Sequence, residues 1–154
     1  MITIKAYLPE YNESLIAIFK SNMPLYFAEE ELPLFYIFLE RDVLERGPYS
    51  IIFKDNVIVG CGGIALNKPT KYTNEPHVIM TWGMVHSNNH KQGLGADLLK
   101  HRIQQSKELY PGIKIALGTT QHTFGFFEKY GFKTVCLEKD HWAKGLDLYQ
   151  MELF

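Results

Sequence analysis

The most informative segment of this sequence is Val85-His86-Ser87-Asn88-Asn89-His90-Lys91-Gln92-Gly93-Leu94-Gly95-Ala96. It lies between an almost continuously apolar run, residues 77–85, and a run with helical periodicity. The first turn of a helix has unpaired N–H groups, and its dipole favours an anion. Gly93 and Gly95 would let a ligand approach the backbone, and Lys91 adds a positive charge. The pattern is typical of a pyrophosphate cradle; the alternative is a strand-to-helix turn that holds no ligand.

Two other phosphate-binding patterns do not match this segment. The kinase-type loop needs Lys and then Ser or Thr after its second glycine, whereas Ala96-Asp97 follows Gly95. The dinucleotide-binding fingerprint needs a third small residue where Leu98 stands, and its helix follows the first strand rather than a later one.

Hydrophobic periodicity elsewhere predicts alternating strands and helices. Strands are expected at 2–7, 50–53, 57–66, 77–85, 113–118, 133–138 and 146–153, and helices at 11–23, 29–45, 96–110 and 123–130. A strand, helix and strand in succession around the glycine segment indicate a parallel pair with a right-handed crossover. The early hairpin then makes the sheet mixed. We therefore expect an α/β (α+β) fold with about six or seven strands and helices on both faces.

Glycines and one helix face add detail to this prediction. Gly60, Gly62 and Gly63 within one strand indicate a bulge or a close backbone approach. Gly131 is well placed to cap the short helix before it. The helix after the glycine segment is expected to turn one face inward, formed by Leu98, Leu99, Arg102, Ile103, Ser106 and Tyr110.

Length and composition narrow the class of protein. The chain has 154 residues, and 16 Lys and Arg against 17 Asp and Glu give a formal net charge of −1. One domain is expected, and this balance argues against a nucleic-acid or membrane-surface partner, because such partners need a basic face. Cys61 and Cys136 stand in apolar runs, where buried reduced thiols are expected. With no apparent secretory signal, these features favour a cytoplasmic protein.

The glycine segment resembles the signature of the GNAT superfamily of acetyl-CoA-dependent N-acyltransferases. In that family a strand and a short turn lead into Gln/Arg-x-x-Gly-x-Gly/Ala, matched here by His90-Lys91-Gln92-Gly93-Leu94-Gly95, with His90 departing from the usual first residue. Downstream, Phe126-Phe127-Glu128-Lys129-Tyr130-Gly131-Phe132 resembles the family's Phe-Tyr-x-Lys-x-Gly-Phe. The resemblance covers residues 77–132, about a third of the chain. It implies a single acetyltransferase domain over residues 1–154, with the parallel pair around a groove for CoA.

The resemblance also implies a set of binding residues for acetyl-CoA as co-substrate, without a metal. Backbone groups near Met84 and Val85 would pair with the pantetheine arm and polarise the acetyl carbonyl. Amides over residues 91–96 would hold the pyrophosphate, and side chains after the next strand would flank the arm. The expected binding residues are Met84, Val85, His90, Lys91, Gln92, Gly93, Leu94, Gly95, Ala96, Gln121, Gly125 and Phe126.

Two catalytic positions depart from the family pattern. The Tyr that protonates the departing thiolate corresponds to Phe127, so Tyr130 is the candidate replacement. The Glu that some members use as a base corresponds to Ile79; His77 shares its strand face and is the candidate base. The structural alternative for His77 is a strand-end residue with a satisfied hydrogen bond.

Other polar and aromatic residues allow a functional and a structural interpretation. Residues 29–31 (Glu-Glu-Glu), Tyr26, Phe27, Phe35 and Tyr36 could shape an acceptor pocket, or they could serve as helix-start acids and core. Asp140-His141-Trp142 is expected in a loop before the last strand. His86 and His90 lack further ligands with metal-binding spacing, so no metal site is expected.

The resulting hypothesis is an N-acetyltransferase that moves acetyl from acetyl-CoA to a primary amine by direct attack in a ternary complex. The amine belongs to an unidentified small molecule or peptide, and the sequence leaves a homodimer open. Phe127 and Ile79 suggest the alternative of a non-catalytic CoA-binding module that acts as a sensor or binds a partner. An unrelated α/β domain for a small ligand is the third interpretation.

Overall fold

A computed structural model describes all residues, 1–154. The strands are β1 (Ile2–Ala6), β2 (Tyr49–Lys54), β3 (Val57–Asn67), β4 (His77–Val85), β5 (Lys114–Thr119), β6 (Phe132–Ala143) and β7 (Leu146–Leu153). The helices are α1 (Asn12–Ser21), α2 (Leu32–Ile37), α3 (Val43–Arg46), α4 (Leu94–Leu109) and α5 (Phe124–Glu128). A π turn, Phe38–Asp42, joins α2 to α3.

The seven strands form one mixed sheet in the order β1-β2-β3-β4-β5-β7-β6. Every neighbouring pair is antiparallel except β4 and β5, which are parallel and are connected through α4. The predicted mixed sheet with one central parallel pair is therefore confirmed.

Helices cover both faces of the sheet, as predicted. The helices α1 to α3 lie on one face, where Phe19, Phe35 and Ile51 are fully buried in the larger core cluster. On the other face α4 and α5 cover a second cluster that includes Leu99, Phe132 and Met151. One cluster packs on each face of the sheet, so the strands between the two clusters are buried from both sides.

The parallel pair is short, and the site depends on this. His77, Val78 and Ile79 of β4 pair with residues 114–116 of β5, and no pairing follows beyond them. β4 nevertheless continues to Val85 and stays paired with β3 as far as Gly60. The sheet is therefore open between β4 and β5 along the last part of β4.

Two predictions about loops and thiols need correction. Asp140-His141-Trp142 lies within β6 rather than in a loop, because the β6–β7 turn is tightened by side chains. The Asp140 N–H donates to Asp147 Oδ1 at 2.9 Å, and the Gly145 N–H donates to Asp140 Oδ1 at 2.7 Å.

Both cysteines are free, but only Cys61 is buried. None of the helices is long and apolar enough to cross a lipid bilayer.

Candidate functional site

The opening between β4 and β5 is the central feature of the candidate site. Gly83 is exposed although it lies in a central strand, because β5 has already separated from β4 at that point. The edge of a strand presents unpaired N–H and C=O groups that can bond an extended chain. A pantetheine arm carries two amides, so this edge can accept it as a short additional strand.

A β-bulge shapes the exposed part of β4. Cys61 pairs with Met84 and Gly63 with Thr81, so Trp82 and Gly83 together lie opposite Gly62 alone. The extra residue bends the strand, and Trp82 adopts a positive φ of 35°. The bulge or close backbone approach predicted from Gly60, Gly62 and Gly63 is thereby confirmed, because the register shifts between Cys61 and Gly63.

Two contacts hold the bulge in place. The Tyr49 hydroxyl donates to the Trp82 carbonyl oxygen at 2.7 Å. The Trp82 indole packs among the rings of the α1–α3 face, with centroids 5.1 Å from Phe35 and 6.3 Å from Phe27. Both contacts support the strained backbone, which persists only where its surroundings fix it.

The glycine turn opens α4 at one end of this groove. Gly93 has φ +80°, a left-handed conformation that glycine adopts without steric cost. A Cβ added at Gly93 would meet no atom within 4 Å, so the space in front of the turn is free. Lys54 Nζ donates to Gln92 Oε1 at 2.8 Å and ties the turn to β2. The turn therefore fits an anion held by backbone amides.

His90 points back toward β4 rather than into this free space. Its Nε2 lies 2.9 Å from the Val85 carbonyl oxygen, and Asn22 Nδ2 donates to the same oxygen at 3.0 Å. The Tyr26 ring stands edge-on between His90, at 5.4 Å, and His122, at 6.3 Å. The segment after α1 thus joins the loops that follow β4 and β5, an arrangement that the sequence pattern did not predict.

The residues predicted to flank the pantetheine arm have different surroundings in the structure. Phe126 is brought next to the glycine turn, since its Cζ would lie 3.7 Å from a Cβ at Gly95. Gly125 is exposed, with open space around its α-carbon. Gln121 is engaged by the β6–β7 turn, with Nε2 donating to Gly145 O at 2.6 Å and Oε1 accepting from Asp147 N at 3.0 Å.

The two predicted catalytic side chains are not brought together. His77 is 1% exposed at the paired end of β4, and its Nδ1 lies 2.8 Å from the Glu75 carbonyl oxygen. This arrangement is the structural alternative given for His77. Tyr130 packs on Phe126, with ring centroids 5.3 Å apart, and Lys100 Nζ lies 5.9 Å from its ring.

The two positions that depart from the family pattern have apolar surroundings. The Phe127 ring lies 5.1 Å from Phe126 and 6.0 Å from Phe132. Ile79 pairs with Ala65 on one side and Ala116 on the other. Neither position has a side chain that can exchange a proton.

The acidic and aromatic candidates separate into structural and surface residues. Glu31 is buried, and its Oε2 accepts from the Ala28 N–H at 2.8 Å, which caps the start of the turn over residues 29–31. Burial raises the pKa of this carboxyl. Phe35 is core, whereas Tyr36 is exposed.

The hairpin of β6 and β7 carries a hydrogen-bonded cluster. The Tyr72 hydroxyl donates to Glu138 Oε2 at 2.7 Å, and His141 Nδ1 lies 3.2 Å from Glu138 Oε1. The Tyr72 hydroxyl and then His141 lower the pKa of Glu138, so this carboxylate is ionised. On the same hairpin, Trp142 Nε1 donates to the Thr119 carbonyl at 3.2 Å, at the end of β5.

One charged residue packs under the strands that border the groove. Arg102 of α4 is buried against the backbone of Gly62 and Gly83. The sequence contained a signal for it: a cation on a helix face that is otherwise apolar, one turn after Leu98 and Leu99.

Comparisons with known proteins agree with this geometry. Residues 27–154 match a family model described as "Acetyltransferase (GNAT) domain". A GNAT-family structure from Desulfovibrio desulfuricans superposes with a TM-score of 0.79 at 17% identity, covering 99% of this chain and 98% of that one. Ribosomal-protein-alanine N-acetyltransferase from Brucella melitensis gives 0.76 at 19% identity, with 97% and 98% covered.

A third structure contains the coenzyme predicted from the sequence. The protein yncA from Salmonella typhimurium, solved with its cofactor acetyl-CoA, superposes with a TM-score of 0.70 at 17% identity, covering 99% of this chain and 93% of that one. The search of curated proteins finds no match.

Proposed function

The chain belongs to the GNAT acetyltransferase family, and from that premise we propose that it moves acetyl from acetyl-CoA to a primary amine within a ternary complex. In this reaction the amine nitrogen attacks the thioester carbonyl carbon. The new C–N bond replaces the C–S bond, whose electron pair leaves with sulfur, and the nitrogen loses a proton. Such a reaction is accelerated by positioning and by preset donors at the acetyl carbonyl.

One observation carries the proposal: a sheet that opens between its two parallel strands beside a glycine turn with free space in front of it. The opening begins after Ile79 and Ala116, and Gly93 leads into α4 at its far end. An extended amide-bearing arm and a diphosphate are the two parts of CoA that this combination fits.

The residues that would hold acetyl-CoA follow from these two parts. Amides of residues 91–96 would hold the pyrophosphate, and the free edge of β4 around Met84 would bond the pantetheine arm. Phe126, next to Gly95, would contact the arm from the α5 side. The Val85 carbonyl already accepts two hydrogen bonds, so it would not accept one from the arm without releasing a donor.

The acceptor is proposed to be a small-molecule or peptide amine. The hairpin of β6 and β7 meets the end of β5 through Trp142 and carries the ionised Glu138. An ionised carboxylate on this hairpin favours a cationic ammonium group. The neighbour from Brucella is named for a ribosomal-protein alanine, which is one example of a peptide amine in this fold. The two free cysteines fit a reducing cytoplasmic location.

Acetyl-CoA binding and turnover are tested separately. Thermal unfolding is first followed with and without acetyl-CoA, since ligand at a hundred times its dissociation constant stabilises a protein by about 2.7 kcal/mol. Release of the CoA thiol is then measured with a panel of small amines, amino acids, polyamines and peptides. Stabilisation together with amine-dependent release supports the proposal.

Two results would contradict the proposal in different ways. If acetyl-CoA does not stabilise the protein, the proposal that the groove binds this coenzyme is wrong. Stabilisation without release for any amine supports the non-catalytic CoA-binding module instead, for which Phe127 and Ile79 are the motivating residues.

A further inference from the structure

Arg102 is a buried cation without a partner. Its side chain is 5% exposed, and Nε is fully buried with no hydrogen-bond acceptor. The guanidinium takes part in none of the ion pairs of the protein. Buried charges in proteins are ordinarily paired, because removing an ion from water costs several kcal/mol.

The guanidinium lies directly under the bulge of β4. A Cβ at Gly83 would be 2.5 Å from Nη2 and 2.8 Å from Nη1, and a Cβ at Gly62 would be 3.1 Å from Nε. The position therefore exists only because both residues are glycine. Gly83 is also the exposed residue of β4 where β5 has separated, so the guanidinium is one backbone away from the open groove.

No acidic group faces Arg102 from the elements packed against it. The titratable neighbours are Tyr49 of β2, Cys61 of β3 and His101 on α4 itself. Burial raises the pKa of the Cys61 thiol to about 12, and burial raises that of Tyr49 well above its usual value, so both are neutral. Burial lowers the pKa of Arg102 to about 10, which leaves it charged at neutral pH. The local charge is thus an uncompensated cation beside the groove.

The distance along α4 indicates which part of CoA would meet this cation. Arg102 lies nine residues after Gly93, about 13 Å along the helix axis at 1.5 Å per residue. About thirteen bonds separate the inner phosphorus of CoA from its sulfur, or roughly 15 Å when extended. For an arm that runs along α4, a phosphate at the glycine turn would be too far from Arg102, whereas the sulfur would fall at its level.

We propose that Arg102 is the electrostatic partner of the CoA thiolate, stabilising the sulfur as the C–S bond breaks and replacing the proton donor that Phe127 cannot provide. This inference rests on the proposed function, because it requires acetyl-CoA in the groove. The electron pair of the C–S bond would remain on sulfur as a thiolate, which the guanidinium would stabilise across the backbone of Gly83. The proton lost by the amine nitrogen passes to water, and no further reactant is needed.

The test is the pKa of the CoA thiol in the binary complex, which needs neither acceptor nor turnover. The ultraviolet absorbance of the thiolate is titrated for CoA bound to the wild type and for free CoA. A bound thiol whose pKa is at least one unit lower than that of free CoA, a tenfold shift towards thiolate, is the expected result. Dethio-CoA, which lacks the sulfur, reports binding of the rest of the molecule.

Substitutions at Arg102 separate an electrostatic role from a structural one. In Arg102→Met the pKa of the bound thiol should return to the free value while dethio-CoA affinity changes less than threefold. Arg102→Lys, which keeps the charge, should retain part of the shift. Stability of Arg102→Met should not fall greatly, since an unpaired buried charge is removed.

The outcomes distinguish this inference from the proposed function. If the wild type binds CoA and the pKa of the bound thiol equals that of free CoA, the role of Arg102 is overturned while the proposed function stands. The same follows if Arg102→Met keeps the wild-type shift. If neither CoA nor dethio-CoA binds the wild type, both the proposed function and this inference fail. An unchanged thiol pKa in the wild type overturns the role of Arg102 even if Arg102→Met does not fold, and Arg102→Lys then provides the comparison for a lowered one.

Discussion

Nε2 of His90 lies 2.9 Å from the carbonyl oxygen of Val85. Because a carbonyl can only accept, Nε2 carries the hydrogen, and the imidazole links the glycine turn to the end of the preceding strand. His90 stands where family members usually have Gln or Arg, so the departure has a structural explanation. The His90 side chain stabilises the turn, and the backbone amides that follow His90 stay free for an anion.

Substituting His90 should affect stability more than CoA binding. His90→Ala removes one hydrogen bond of about 1 kcal/mol, while Asn22 continues to bond the same oxygen. We expect CoA affinity to change less than threefold in calorimetric titration. A tenfold loss of affinity without loss of stability would show that His90 contacts the phosphates directly. In the double variant with Asn22→Ala, the Val85 carbonyl loses both donors, and the combined loss of stability should exceed the sum of the two.

Gly93→Val tests the anion cradle. A β-branched residue at φ +80° is strained by about 1–2 kcal/mol, and its side chain would fill the free space before the turn. We expect at least a tenfold loss of CoA affinity. Gly112→Val is the matched control, because Gly112 has φ +78° and equally free surroundings at the other end of α4. Its stability should fall similarly with unchanged CoA affinity; equal affinities for the two variants would contradict the placement.

His77 is expected to contribute to stability rather than to proton transfer. His77→Gln disturbs a buried hydrogen bond to Glu75 O and should cost about 1–2 kcal/mol in denaturant unfolding. The pH dependence of kcat/KM should keep its shape. Thr73→Val, which removes the buried acceptor of Gln150 Nε2, is a control of comparable destabilisation. If His77 is the base, its variant alone loses at least a hundredfold in activity, together with the acidic limb of the profile.

The two thiols should differ sharply in reactivity. The thiolate is the reactive form, and a pKa of about 12 leaves about one Cys61 in ten thousand ionised at pH 8. We expect native protein to react with one equivalent of a disulfide reagent, at the half-buried Cys136, and unfolded protein with two. In Cys136→Ser the native protein should show no fast reaction. A fast reaction of that variant would mean that Cys61 becomes accessible in the native state.

Several features of this protein were readable from local sequence. The strand at 77–85 was visible as an apolar run, because a strand covered on both faces has no polar alternation. Gly93 marked the turn into α4, since glycine adopts its φ of +80° without steric cost. Gly131 has the left-handed φ of +95° expected of it, but α5 already ends at Glu128 with Lys129 as its C-cap, so Gly131 closes the turn that follows the helix.

Other features depend on residues far apart in the chain. The bulge at Trp82 is held by Tyr49 from another strand, and Trp142 of β6 donates to the Thr119 carbonyl at the end of β5. The burial of His77 follows from strands on both of its sides. Periodicity does not encode such contacts, because it describes one element at a time.

Periodicity and glycine placement thus determined the order of elements and the position of the glycine turn, since both arise from backbone geometry within a few residues. The opening of the sheet after Ile79 and the unpaired charge of Arg102 beneath Gly83 depend on how separate elements pack together. The solvation and the partners of a side chain depend on the residues that pack around it. Around Arg102 these residues come from three strands and a helix.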